Sequence, residues 1–289
     1  MKRTIQLLVI DPQNDFCDLP EAYRPVDPVA RGQVAPALPV AGAHADMQRL
    51  ARFIREGSAG LTDIAVTLDS HHRLDIAHPT FWQAFDGGTV SPFTPITAAQ
   101  VRAGAFHPRD LEAMPRTLAY LDELESRGRY TLMVWPVHCE IGTWGHNVHS
   151  DVRTAYNAWE ERQLGIVQKI VKGSNPWTEH YSAVLAEVPD ADDPDTQLNQ
   201  ALITQLDRTD LLIIAGEASS HCVKATTEHI IENLSDQRLG RVVLLTDCMS
   251  PVAGFEAQHE QFFAAMRARG VQLATSTDVL PQLLANAQR

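Results

Sequence analysis

Residues Leu211 to Ile230 read LLIIAGEASSHCVKATTEHI. The apolar run Leu211, Leu212, Ile213, Ile214 has the character of a parallel strand buried on both faces. It ends at Gly216, crosses a short polar turn, and delivers Cys222 to the start of a predicted helix. A thiol at a helix N-terminus meets the positive end of the helix dipole and unpaired backbone N–H groups. Both favour thiolate, the nucleophilic form, and the same N–H groups suit an oxyanion. The segment fits equally a small buried cysteine with no chemistry of its own.

Two other strand ends bear on that choice. The N-terminus reads TIQLLVIDPQNDFCD, an apolar strand Thr4–Ile10 with Asp11 at its C-terminal end. Further on, GIVQKIVKGSNPW gives a strand Gly165–Val171 followed by Lys172. In open parallel sheets, ligands bind outside the carboxyl ends of the strands. Asp11, Lys172 and Cys222 therefore converge on one edge. A carboxylate there can accept the thiol proton, and an ammonium lowers the pKa of both neighbours. Taken singly, a strand-end Asp also caps helices, and a Lys before Gly also sits in solvated turns.

In chain order, VIDPQNDF, TLDSHH, VWPVHC, VKG, SSHCVKAT and LLTDCMSP resemble the isochorismatase-like cysteine hydrolases, most of all the nicotinamidases. The resemblance spans most of the chain, and motifs in sequence are more specific than any one alone. It implies a catalytic triad of Asp11, Lys172 and Cys222. It also implies a cis peptide at Glu217–Ala218 and an oxyanion hole from the N–H groups of Ala218 and Cys222. In that chemistry the cysteine attacks a carboxamide carbon, ammonia leaves, and water hydrolyses the thioester.

A second constellation separates subfamilies. Asp69-Ser70-His71-His72 follows one strand, Ile64–Leu68, and Trp135-Pro136-Val137-His138 follows another, Thr131–Val134. Asp and His are ligands for divalent transition metals. The resemblance assigns Asp69, His71 and His138 to one metal ion. Zinc is the first expectation, with iron and manganese also fitting. His78 is a further family position whose spacing does not match cleanly. Phe16, Trp135 and Tyr181 match aromatic positions around a flat ring. Each of these also has an ordinary reading, as a core or loop aromatic.

With 289 residues, 44% of them hydrophobic, the chain can bury a sizeable core. A net charge of -12 argues against nucleic acid or an anionic membrane as partner. Four cysteines without a CxxC pair make no disulfide framework. The N-terminal apolar run breaks at Asp11, too short for a membrane span and without a cleavage site, so a cytoplasmic location is expected.

Further strands are predicted at Thr62–Leu68, Thr131–Trp135, Asp210–Ala215, Arg241–Thr246 and Val271–Ala274. Helices are predicted at Ala41–Glu56, Met114–Arg127, Ser150–Arg162, Thr196–Asp207, His221–Leu234 and Phe255–Arg269. This alternation gives an α/β, three-layer architecture, a mostly parallel central sheet with helices on both faces. The whole chain, 1–289, reads as one elaborated hydrolase domain. Insertions fall near 19–39, 77–108 and 188–195; the middle one either shapes a pocket mouth or packs peripherally.

The expected function is metal-dependent hydrolysis of a small amide, first nicotinamide, by an enzyme of NAD metabolism that acts on a small molecule without nucleic acid or membrane as partner, with a homo-oligomer left open. The alternatives are another amide, a carbamoyl or vinyl-ether substrate, or a silent binding protein. Intact Asp11, Lys172 and Cys222 weigh against the last.

Overall fold

The computed structural model describes residues 2–289. Its strands are β1 (Ile5–Ile10), β2 (Asp63–Asp69), β3 (Trp82–Ala84), β4 (Thr94–Ile96), β5 (Phe106–Pro108), β6 (Leu132–Val134), β7 (Gln168–Lys172), β8 (Leu211–Gly216), β9 (Val242–Leu245) and β10 (Gln272–Ala274). Its helices are α1 (Ala43–Gly57), α2 (Ala98–Arg102), α3 (Met114–Arg127), α4 (Ser150–Gln163), α5 (Gln200–Asp207), α6 (Cys222–Asn233), α7 (Glu256–Ala268) and α8 (Ser276–Ala287). Six strands form one sheet in the order β10-β9-β8-β1-β2-β7, every pair parallel. The two central strands, β8 and β1, are buried at every position. That follows from helices covering the sheet, which leave no solvated face for alternation. On one such layer α1 packs between α4 and α8, while α6 packs on β8 and α7 on β10.

Register places the site. Asp69 and Lys172 are partners across β2 and β7, and Ile10 and Gly216 across β1 and β8. Asp11 therefore leaves β1 beside the turn that leads to Cys222. Gly216 has φ +126°, and a Cβ there would stand 1.9 Å from the Ile10 carbonyl oxygen. Only glycine lets the two chains approach so closely.

Several expectations are corrected. The segment Thr131–Trp135 is not a strand of the central sheet. Its core, β6, pairs antiparallel with β4 in a separate two-stranded ribbon. The insertion Ala77–Pro108 supplies that partner, together with β3, α2 and β5. It packs through Phe81, Trp82, Ile96 and Val101 against Tyr120, Leu121 and Leu124 of α3. Lys172 and Asp69 are the last residues of their strands, not the residues after them. The helix predicted from Thr196 starts at Gln200, because the Asn199 side chain caps the Leu202 N–H. Helix α8 has no counterpart among the predicted helices. Pro281 argues against a helix there, yet a Thr275/Asp278 capping box starts one.

Candidate active site and metal centre

Asp11, Lys172 and Cys222 meet at the carboxyl ends of β1, β7 and β8, all three buried. Asp11 sits at φ +42°, turning the chain off β1. Its N–H donates to Thr67 Oγ1 at 3.0 Å, and the same hydroxyl donates to Asp11 Oδ1 at 2.5 Å. Lys172 Nζ lies 2.9 Å from Asp11 Oδ2, 2.8 Å from Asp69 Oδ1, 3.0 Å from the His180 carbonyl oxygen and 3.7 Å from Cys222 Sγ. Asp11 Oδ2 thus forms a buried ion pair with the Lys172 ammonium.

The electrostatics run against one expectation. Burial pushes the Cys222 thiol well above its ordinary range; Lys172 pulls it down, but Asp11 and Asp69 push it up again. Helix dipole and ammonium together do not outweigh burial beside two carboxylates. The resting group is a thiol. Burial also raises Asp11, only partly opposed by Lys172, which makes it a better proton acceptor than an exposed Asp. For Lys172, burial disfavours the ammonium, but Asp11 and Asp69 outweigh burial and hold its pKa well above the usual.

The Glu217–Ala218 peptide is cis. Helix α6 begins at Cys222 with no side-chain cap. The N–H groups of Ala218 and Cys222 make no hydrogen bond among the described residues, so both remain open to an acceptor in the cleft.

Asp69, His71 and His138 come together although β6 lies outside the central sheet. Asp69 Oδ2 is 3.1 Å from His71 Nε2 and 3.3 Å from His138 Nε2. Two donors each about 2.0–2.1 Å from one ion stand roughly 3.0–3.4 Å apart, so the spacing suits a shared ion. The far side of each ring is fixed as well. His71 Nδ1 is 3.0 Å from Asp75 Oδ2, and His138 Nδ1 donates to the Pro136 carbonyl oxygen at 2.8 Å. Such outer partners set the tautomer that points Nε2 at a metal. Burial disfavours charge on His71, but Asp69 and Asp75 raise its pKa well above normal.

His78 joins the cluster from a different side. Together with His71 and His138 it forms a buried group whose ligand atoms lie within 4.8 Å of one another. Its Nε2, however, faces His138 Nδ1 at 3.3 Å, away from Asp69. The three histidines form the group whose ligand atoms lie together, and Asp69 Oδ2 adds a fourth donor within 3.1 Å of His71 Nε2 and 3.3 Å of His138 Nε2. Burial and the neighbouring His71 and His138 lower His78 to about 3, so it is a neutral imidazole.

The cleft above these groups is narrow, with a cavity volume of only about 30 Å³, room for little more than a water molecule, so a ring-sized ligand requires the lining side chains to move. Phe16, Trp135, Tyr181, Ala218 and Cys222 line it together with Asp69 and His138. Trp135 Nε1 donates to Tyr181 Oη at 3.1 Å, so Tyr181 reaches the pocket despite its longer spacing from Lys172. Phe93 of the middle insertion stacks edge-on against Trp135 at 5.8 Å, so that insertion packs at the side and also touches the pocket wall.

Sequence reasoning missed Thr67, Asp75, Glu179 and His221. Thr67 and Asp75 act on neighbours through hydrogen bonds that span long or irregular stretches of chain. His221, beside Cys222, stacks on Trp135 at 5.1 Å and on Phe255 at 4.6 Å. Only its adjacency to Cys222 could have signalled it.

No family model matches the chain, and no curated protein matches it. Solved structures do. An Acinetobacter baumanii nicotinamidase/pyrazinamidase is 20% identical, covers 96% of this chain and 98% of its own, and superposes with a TM-score of 0.60. The yeast nicotinamidase Pnc1p bound to the inhibitor nicotinaldehyde is 18% identical over 94% of this chain and 100% of its own, with a TM-score of 0.61. A Pyrococcus horikoshii pyrazinamidase in complex with zinc is 18% identical over 94% of this chain and 98% of its own, with a TM-score of 0.50. The chain has the fold of these proteins. No helix among the described residues is long and apolar enough to cross a membrane.

Proposed function

We propose that the chain is a metal-dependent cysteine amidohydrolase of the isochorismatase-like family, converting nicotinamide or a close pyridine carboxamide to the acid and ammonia. The observation that carries the reading is the position of Lys172 Nζ. It stands 2.9 Å from Asp11 and 3.7 Å from Cys222 on one side, and 2.8 Å from Asp69 on the other. A nucleophile and its base thus share one cleft with an Asp/His ligand set. An isochorismatase-type reaction requires neither the metal set nor the thiol.

In this reading the Asp11 carboxylate, paired with the Lys172 ammonium, takes the Cys222 thiol proton as Sγ bonds to the carboxamide carbon. The carbonyl π pair moves to oxygen, where the N–H groups of Ala218 and Cys222 receive it. The C–N bond breaks as Asp11 returns the proton to nitrogen, and ammonia leaves. Water then attacks the thioester and gives a proton to Asp11, and Sγ departs and is reprotonated. The sum is amide plus water to acid plus ammonia. Lys172 keeps Asp11 placed and offsets its charge. Asp69, His71 and His138 would hold a divalent ion, zinc first among the candidates; when bound, it supplies an electrophilic anchor for a ring nitrogen. Phe16, Trp135 and Tyr181 clamp the ring.

The test is ammonia release from a panel of amides by metal-loaded protein. Nicotinamide should be among the best substrates. Ammonia from aliphatic or carbamoyl substrates alone would move the reading to another branch of the family, and no release from any amide would overturn it.

A further inference from the structure

Glu179 lines the cleft with Asp69, His138 and Cys222, and nothing in the chemistry above uses it. Its backbone fixes it firmly. The Glu179 N–H donates to Tyr120 Oη at 3.2 Å, and its carbonyl oxygen accepts from the Glu187 N–H at 3.0 Å. The carboxyl group is half satisfied: Oε1 accepts the His180 N–H at 3.0 Å. Oε2 is fully buried and has no hydrogen-bond partner among the described residues. The residue as a whole is 4% exposed.

A buried carboxyl oxygen without a partner is rare in a finished structure, because its desolvation goes uncompensated. The nearby ammonium is already occupied: Lys172 Nζ donates to Asp69, the His180 carbonyl and Cys222 Sγ and pairs with Asp11. Oε2 is therefore free to accept a hydrogen bond from a group bound in the cleft. The charges that act most on Glu179 are His71, Asp69 and Asp75, whereas those acting most on Cys222 are Lys172, Asp11 and Asp69. Glu179 thus belongs to the metal side of the cleft rather than to the nucleophile's side.

We propose that Glu179 is a positioning residue of the metal centre, its Oε2 accepting a hydrogen bond from a water in the inner shell of an ion held by Asp69, His71 and His138. The inference rests on the metal-dependent reading above. It makes Glu179 an outer partner of the ion, as Asp75 is of His71. Outer partners of this kind change metal affinity by about ten- to a hundredfold when removed.

The experiment measures metal binding directly. Metal-stripped wild type, Glu179→Gln and Glu179→Asp are titrated with Zn²⁺ against a chromogenic chelator, and their Co²⁺ forms are compared by visible absorption. Alkylation of Cys222 by iodoacetamide and thermal unfolding serve as controls. The expected result is one ion per chain in all three, with affinity about ten- to a hundredfold lower and a shifted Co²⁺ spectrum in Glu179→Gln. Alkylation should be unchanged, and Glu179→Asp should recover part of the affinity. If folded Glu179→Gln binds Zn²⁺ and shows the Co²⁺ spectrum as wild type does, this inference fails and the metal reading stands. Should Glu179→Gln not fold, wild-type Zn²⁺ affinity and Co²⁺ spectrum in Glu179→Asp, whose shorter side chain cannot reach the same point, overturn it. If wild type itself binds no ion, both fall together.

Discussion

Lys172 Nζ donates to Asp69 Oδ1 at 2.8 Å, and the two residues are register partners across β2 and β7. The strand pairing that builds the sheet therefore also links the nucleophile's side of the cleft to the histidine cluster. Asp69 divides its two oxygens between these roles, Oδ1 to the ammonium and Oδ2 to His71 and His138. A change at Asp69 must disturb both.

Cys222→Ala should lower ammonia release by at least about 10⁴-fold while leaving the protein folded, since a covalent route has no substitute for its nucleophile. The thiol is one small buried group at the start of α6, so Tm should move by only a few degrees. A folded variant with near-normal turnover removes Cys222 from the chemistry.

The double variant Asp69→Ala/His138→Ala should lose bound metal entirely. Elemental analysis of gently purified protein should give about one divalent ion per wild-type chain and none in the variant. It should also be less stable, because Lys172 keeps its charge in a buried site with Asp11 as its one remaining carboxylate partner. Retained metal in the double variant would move the site to other residues.

The strand ends were legible in the sequence for a physical reason. Buried parallel strands such as Leu211–Ile214 are continuous apolar runs, and the residue where polarity returns marks the edge where ligands bind. Asp11 and Asp69 follow that rule; Lys172 ends an edge strand exposed at three of its five positions, and Cys222 lies beyond the turn that follows β8. Residues 131–135 obey the same pattern and misled it, since a short apolar strand buried by an insertion looks no different from one buried by helices. The thiol's protonation state was not legible either. It depends on the balance of burial, one ammonium and two carboxylates, a sum over distances that no motif encodes. Asp75 and Glu179 matter through single oxygen atoms, and sequence spacing carries no record of those.

Asp75→Asn should weaken Zn²⁺ binding by about ten- to a hundredfold without removing a ligand. Its Oδ2 is the partner of His71 Nδ1, and its Oδ1 holds the Ala77 N–H at 2.9 Å. An amide keeps one acceptor and loses the charge that strengthens the His71 ring as a donor to the ion. Chelator competition measures the shift; unchanged affinity would reduce Asp75 to a loop anchor.

Gly216→Ala should destabilise the fold by more than about 3 kcal/mol. Its φ of +126° is a region that side chains avoid, and the new Cβ would collide with backbone atoms of Ile10 that a paired strand cannot move. Chemical denaturation gives the number. A loss below about 1 kcal/mol would mean that β1 and β8 can part at this edge without cost.

The substrate prediction draws on both halves of the cleft. Phe16 and Trp135 are buried aromatics on its wall, which favour a flat ring of modest size. Asp69 Oδ2 lies within 3.1 Å of His71 Nε2 and 3.3 Å of His138 Nε2, and an ion bound by them would accept a lone pair. Nicotinamide offers both a ring and a ring nitrogen, whereas benzamide offers the ring alone. Metal-loaded enzyme should therefore turn over nicotinamide with kcat/KM at least about a hundredfold above benzamide, roughly what loss of one strong polar contact costs. The gap should shrink after chelation, because the bond that discriminates is the one removed. Steady-state kinetics on both amides, with and without metal, decides it. If benzamide matches nicotinamide on the loaded enzyme, the ring nitrogen is not read by the metal site, and the cysteine chemistry serves a different amide.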